Sequence, residues 1–174
     1  MPWRPLLQFP RLAGPARAVI AVGLCAGLAA FPATVSSYTL LEPGACAGPA
    51  SDTRLYVTVT RLRDAQGVVA VTLYPDDRKR FLARRGSLYV ARVQGAAPTA
   101  SVCLHLPGPG SYAVGAYHDR NANGKFDRTG IGLPAEDYGF SNNPKLLLGP
   151  PSFKSVRITV NKDGEAISIR LNKH

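Results

Sequence analysis

Sulfur, acid and long apolar runs are all scarce in this chain. Its 174 residues hold three cysteines, three histidines and one methionine, with no Cys/His cluster. A structural zinc site needs four such ligands at close spacing, so a zinc module is excluded. No Gly-x-Ser-x-Gly nucleophile elbow occurs, and none of the three histidines lies in a recognisable catalytic motif. Asp and Glu number 11 against 21 Lys and Arg, a formal net charge of +10. The charge comes without a nucleic-acid-binding motif, which argues against a nucleic-acid partner.

The most apolar run, 18–31, falls short of the roughly 20 residues that cross a bilayer, and Pro15 and Pro32 flank it. Arg4, Arg11 and Arg17 precede it, and the small residues Val35, Ser36 and Ser37 follow. Basic region, short apolar region and small-residue exit in that order predict a secretory signal peptide over 1–37, hence an exported protein, periplasmic or extracellular, with no transmembrane segment after processing. Loss of the three arginines leaves a net charge of about +7. Such a chain is drawn to anionic envelope surfaces, and its densest basic run is Arg78-Lys79-Arg80 with Arg84-Arg85. Cys25 leaves with the signal, so Cys46 and Cys103 form an even pair in an oxidising compartment and are expected to be disulfide-bonded.

Residues 38–53 contain Pro43, Gly44, Gly48 and Pro49 and show no periodicity; they read as a linker or a strap. The sandwich domain is expected over 54–174. Leu55, Val57 and Val59 alternate with Tyr56, Thr58 and Thr60, and Val69, Val71 and Leu73 repeat the pattern, two half-buried strands. Asp76 or Asp77 is placed to cap a short helix over 76–84. Further strands are read at 88–93 and 100–106, and at 111–117, which is apolar enough to be central. Val156, Ile158 and Val160, then Ile167, Ile169 and Leu171, alternate on either side of Asp163-Gly164, a hairpin signal. About seven short strands with one short helix and a long ordered loop predict an all-β antiparallel sandwich, immunoglobulin-like or transthyretin-like.

The most chemically specific segment is 119–127. Asp119, Asn121 and Asn123 stand at alternate positions, Gly124 permits a sharp turn, Lys125 offers a carbonyl, and Asp127 stands where an EF-hand-type loop often works through water. Gly130 replaces the bidentate Glu of the twelfth position, and Arg120, Lys125 and Arg128 crowd the loop. Only weak Ca²⁺ binding is expected, with Glu136 or Asp137 as completing ligands; the alternative is a metal-free loop of Asx-turns. Farther on, Tyr138, Phe140, Ser141 and Asn142 mix aromatic and polar groups. That mixture suits a ligand groove for a carbohydrate or peptide, and equally a loop packed on its own domain.

Taken together, Leu73-Tyr74-Pro75, Tyr112-Ala113-Val114, His118-Asp119 with Asn121 and Asn123-Gly124-Lys125, Gly132-Leu133-Pro134, Tyr138-Gly139-Phe140-Ser141-Asn142 and Pro150-Pro151-Ser152-Phe153 resemble the bacterial exported proteins of domain of unknown function 2141. The resemblance covers the chain from about Arg54 onward. It implies an exported bacterial β-sandwich and carries no activity. The leading expectation is a non-enzymatic module that contacts an envelope or extracellular ligand through 119–143. Two alternatives stand beside it: a hydrolase centred on His118, Asp119 and Ser141, and a structural envelope protein that pairs through open strand edges.

Overall fold

The computed structural model describes residues 38–146 and 149–173. The expected signal segment therefore lies outside the described residues. The strands are β1 (Cys46–Ala47), β2 (Thr53–Thr60), β3 (Val68–Pro75), β4 (Tyr89–Gln94), β5 (Thr99–Leu106), β6 (Gly110–Asp119), β7 (Tyr138–Phe140), β8 (Arg157–Val160) and β9 (Glu165–Arg170), with helix α1 (Phe153–Val156) before β8. They form two sheets. The first runs β1-β5-β2-β9; the second runs β4-β3-β6, and β6 is flanked on its far side by β7 and β8 end to end.

Alternation places the core. Leu55, Val57 and Val59 of β2 and Leu104 and Leu106 of β5 are buried against Val69, Val71 and Leu73 of β3 and Val114 and Ala116 of β6. Tyr56 points the other way and is exposed. Each fully buried Leu or Val of this set contributes about 1.5–3 kcal/mol relative to exposure.

The all-β sandwich expected from the sequence is present, with two of its pairings parallel: β1 with β5, and β2 with β9. The last parallel pair overturns the expected C-terminal hairpin. β8 joins β6 in one sheet while β9 joins β2 in the other, so 161–164 crosses between sheets. Asp163 is used for docking: its Oδ1 accepts the Arg54 N–H at 2.7 Å, and the Arg54 guanidinium grips both carboxylate oxygens at 2.9 and 2.6 Å.

The expected helix over 76–84 is also absent. The chain makes one turn, with the N–H groups of Arg80 and Phe81 on the Asp77 carbonyl. Leu82 and Arg85 then take φ of 56° and 58°, in the left-handed region that ends a helix. Packing outweighs local preference here, because Phe81 is drawn edge-on to Tyr74 and Phe140. The short helix of this fold is α1 instead.

The segment 38–52 is a strap across one open side of the sandwich. The Leu41 N–H bonds the Arg92 carbonyl of β4 at 2.7 Å, and a Cys46–Cys103 disulfide fixes the strap to β5. Gly48, at φ +97°, lets the strap pass against the Tyr89 ring, where a Cβ would lie 2.5 Å from a ring carbon.

Candidate functional site

The second sheet is apolar on both faces. Alternation along β6 sends Val114 and Ala116 into the main core and Ala113, Gly115 and Tyr117 to the outer face. Above that outer face lies a chain of rings. Tyr117 meets Phe126 at 5.3 Å, Phe126 meets Tyr138 at 5.5 Å, Tyr138 meets Phe140 at 5.8 Å, and Phe140 meets Phe81 at 5.8 Å. Phe81 in turn contacts Tyr74 and Phe153. Successive pairs are mostly edge-to-face, the arrangement favoured by the ring quadrupole.

The rings do not close over the sheet. A groove of about 820 Å³ remains, floored by Thr72 and Gly115 and walled by Tyr74, Tyr117, Leu82 and Leu133. Gly115 lets the Phe140 ring pack close against β6: a Cβ there would lie 3.2 Å from that ring. Arg128 stands at the wall with its guanidinium 5.4 Å from the Phe126 ring centre. Leu82 and Leu133 are 43% and 57% exposed, so the upper walls face water.

The loop 119–127 forms the support of one wall, because it delivers Phe126. Asp119, fully buried at the end of β6, accepts the N–H groups of Asn123 at 3.1 Å and Gly124 at 2.7 Å. Asn121 and Asn123 donate side-chain N–H groups to Asp127 Oδ2 at 2.8 and 2.7 Å. The Lys125 side chain is exposed, and its backbone N–H bonds Asn123 Oδ1 at 2.8 Å. Glu136 arrives from the far side of the loop, and its Oε2 accepts the Asp127 N–H at 3.2 Å. Burial raises the Glu136 pKa to about 7; the Asp127 N–H opposes this, and repulsion from Asp119 and Asp127 adds to it. Among the described residues no group of three or more His, Cys, Asp or Glu side chains is arranged to hold a metal ion. The strap also reaches the loop: the Tyr38 hydroxyl bonds the Ala122 carbonyl at 3.0 Å, and Arg92 lies over the Tyr38 ring.

Tyr138, Phe140, Ser141 and Asn142 have divided roles. Tyr138 and Phe140 are 9% and 6% exposed and border the groove from below. Ser141 is fully buried; its Oγ accepts the Val114 N–H at 3.0 Å and donates to the Val156 carbonyl. Asn142 donates to the Arg157 carbonyl at 2.8 Å. Asn143 both donates to the Ser168 carbonyl at 2.8 Å and accepts the Arg170 N–H at 2.7 Å, completing the free edge of β9.

The hydrolase arrangement does not form. His118 is buried with Nε2 donating to the Gln66 carbonyl at 2.7 Å, and its backbone N–H bonds the Asp137 carbonyl. Ser141 lies beside Val114, four residues back along the same strand, a separation of about 13 Å at strand rise.

Sequence reasoning named the lower border of the groove and missed its walls. Tyr74, Tyr117, Phe126, Leu82 and Leu133 lie on separate segments that only the β3–β6 and β6–β7 pairings bring together. The available signal was Ala113-x-Gly115-x-Tyr117, a second apolar face with a missing side chain at its centre.

No curated protein and no solved structure matches the chain. The model of the family described as uncharacterised protein conserved in bacteria, domain of unknown function 2141, matches residues 57–168, and the chain belongs to that family.

Proposed function

We propose that the protein is an exported, non-enzymatic binding module that holds the apolar part of a ligand in the groove over the outer face of its second sheet. One observation carries the reading: an open, mainly apolar space of about 820 Å³ over the outer face of the sheet, within the size range of small-molecule sites. Its lining is mainly apolar, with Thr72, Arg128 and the hydroxyls of Tyr74, Tyr117 and Tyr138 as the polar side-chain groups, which suits a ligand with an apolar body and few polar atoms.

The test is saturable binding of an environment-sensitive apolar dye, 1-aminoanthracene, at one site per chain. Leu82→Asp and Leu133→Asp, each of which charges an exposed wall, should each weaken binding at least tenfold. Because Leu133 is exposed, its variant should melt within a degree or two of the parent. Undiminished binding in both variants refutes the groove.

Weak Ca²⁺ binding at Asp119, Asn121, Asn123, Lys125 (carbonyl) and Asp127 is the second element of the proposal. The supporting observation is that Glu136 comes to the loop from outside it, where the EF-hand pattern lacks its twelfth residue. Millimolar CaCl₂ should raise the melting temperature of the parent and leave Asp119→Asn unmoved. Equal shifts in both, or none in either, eliminate the calcium element alone.

A further inference from the structure

Resting on the groove reading above, we propose that the occupant is the acyl part of an anionic lipid, met at a bilayer onto which the groove mouth docks. Three large side chains are left in water at or beside this mouth: Leu82 and Leu133, which line it from two separate segments, and Ile131, 83% exposed, two residues before Leu133. Single exposed apolar residues are ordinary on protein surfaces. Two that line one apolar groove, with a third two residues away along the chain, mark this region as an interaction surface.

The charge around the patch is predominantly basic. The 76–86 loop that presents Leu82 also exposes Arg78, Lys79, Arg84 and Arg85. Arg128 also lines the groove, and exposed Lys145 adjoins Leu146, which lines it too. The acids of the 76–86 loop are engaged: Asp76 is paired with Arg157 at 2.6 Å, and Asp77 Oδ1 accepts the Lys79 N–H at 2.7 Å. A basic rim around apolar tips complements a surface with anionic headgroups over hydrocarbon. Basic groups supply long-range attraction that salt screens, and the apolar tips supply insertion that salt does not weaken. The mainly apolar lining of the groove suits a hydrocarbon chain.

The experiment is co-sedimentation of the purified protein with large unilamellar vesicles of phosphatidylcholine, alone or with 30% phosphatidylglycerol, run beside the 1-aminoanthracene titration. Binding to the anionic vesicles should exceed binding to the neutral ones at least tenfold. Replacing Arg78, Lys79, Arg84 and Arg85 together by Gln should remove most of that difference and leave dye binding intact. Leu82→Ser with Leu133→Ser should lower anionic-vesicle binding at least tenfold at fixed charge, and anionic lipid dispersed in detergent should displace the dye.

Dye binding without preference for anionic vesicles overturns the lipid proposal and leaves the groove reading standing. Failure of dye binding in the parent removes the groove reading itself. If the charge variant loses the vesicles while the Leu82→Ser, Leu133→Ser variant keeps them, the contact is only electrostatic and the acyl occupant is refuted. Release from vesicles by dextran sulfate, with the dye still bound and not displaced by lipid, assigns the cations to an acidic polysaccharide and likewise overturns it.

Discussion

Replacing Glu136 with Gln should flatten the pH dependence of stability between about pH 4.5 and 7. Glu136 is 7% exposed and faces the carboxylates of Asp119 and Asp127 across the loop, with Tyr117 of β6 also within electrostatic range. Burial is the main reason that its pKa stands at about 7 in place of 4.5. The unfolded chain loses this proton near pH 4.5 while the folded protein keeps it to about pH 7. Stability from this group is therefore complete below the lower value, falls as pH rises through the window, and is level above it. A shift of that size has a ceiling of about 3 kcal/mol, and water reaching the loop surface reduces the expectation to roughly 1–2 kcal/mol. For a domain of this size that corresponds to a melting temperature lower by about 3–8 °C at pH 7.5 than at pH 4.5. The assay is differential scanning calorimetry of the parent and Glu136→Gln across that range, read as the difference between their slopes so that other titrating groups cancel. Parallel slopes would refute the argument. Ca²⁺ bound here competes with the proton, so any calcium stabilisation should grow as pH rises toward 7 and be lost in the Gln variant.

Two further outcomes follow from the covalent and hydrogen-bonded ties. The Cys46–Cys103 bridge joins residues 57 apart in sequence, and on the chain-entropy model its removal by Cys46→Ser with Cys103→Ser costs about 4 kcal/mol, measurable by urea unfolding; a loss below about 1 kcal/mol would contradict that model for this fold. Asn143→Ala leaves the Arg170 N–H and the Ser168 carbonyl without their side-chain partner and places Ala at φ +48°, so a loss of about 1–3 kcal/mol and faster hydrogen exchange at the Arg170 amide are expected, and unchanged exchange there would remove the proposed tie.

The strands were legible wherever one face is core and the other is wet. Leu55-x-Val57-x-Val59 of β2, the start of β5 and the run in β9 show the period because each side chain answers to one environment, whereas β3 is buried on both faces and reads as a nearly continuous apolar run. β7 was not legible: three residues are too few for a period, and all three are buried. Gly139 is among them because the backbone of β9 passes there, and a Cβ would lie 2.3 Å from the Arg170 carbonyl oxygen. The C-terminal hairpin was misread for another reason. Asp163-Gly164 is a sound turn signal, but whether the strands on either side pair with each other or part is decided by distant edges, β6 and β2, that sequence spacing does not reveal. The 76–84 helix failed in the same way, through ring contacts made by Phe81. In the candidate site, local bonding explains why 119–127 was readable: its donors and acceptors lie within a few residues of one another. The groove was not, since its walls come from five segments.

The division between support and contact determines which substitutions can inform on function. Gly139, Ser141 and Asn143 tie β7 and the following turn to β6, α1 and β9, and Tyr138 and Phe140 sit within the ring chain that props the groove. A change in any of them alters packing or leaves a buried group unpartnered before it alters a ligand contact, so lost binding in such a variant would not separate the two causes. Leu82, Ile131, Leu133 and Arg128 are different. They are exposed, and substitutions at such positions usually change stability by less than about 0.5 kcal/mol. If the groove is the functional surface, binding should therefore respond to these rim residues while the melting temperature does not, and the motif residues that make the family recognisable should show the two effects together.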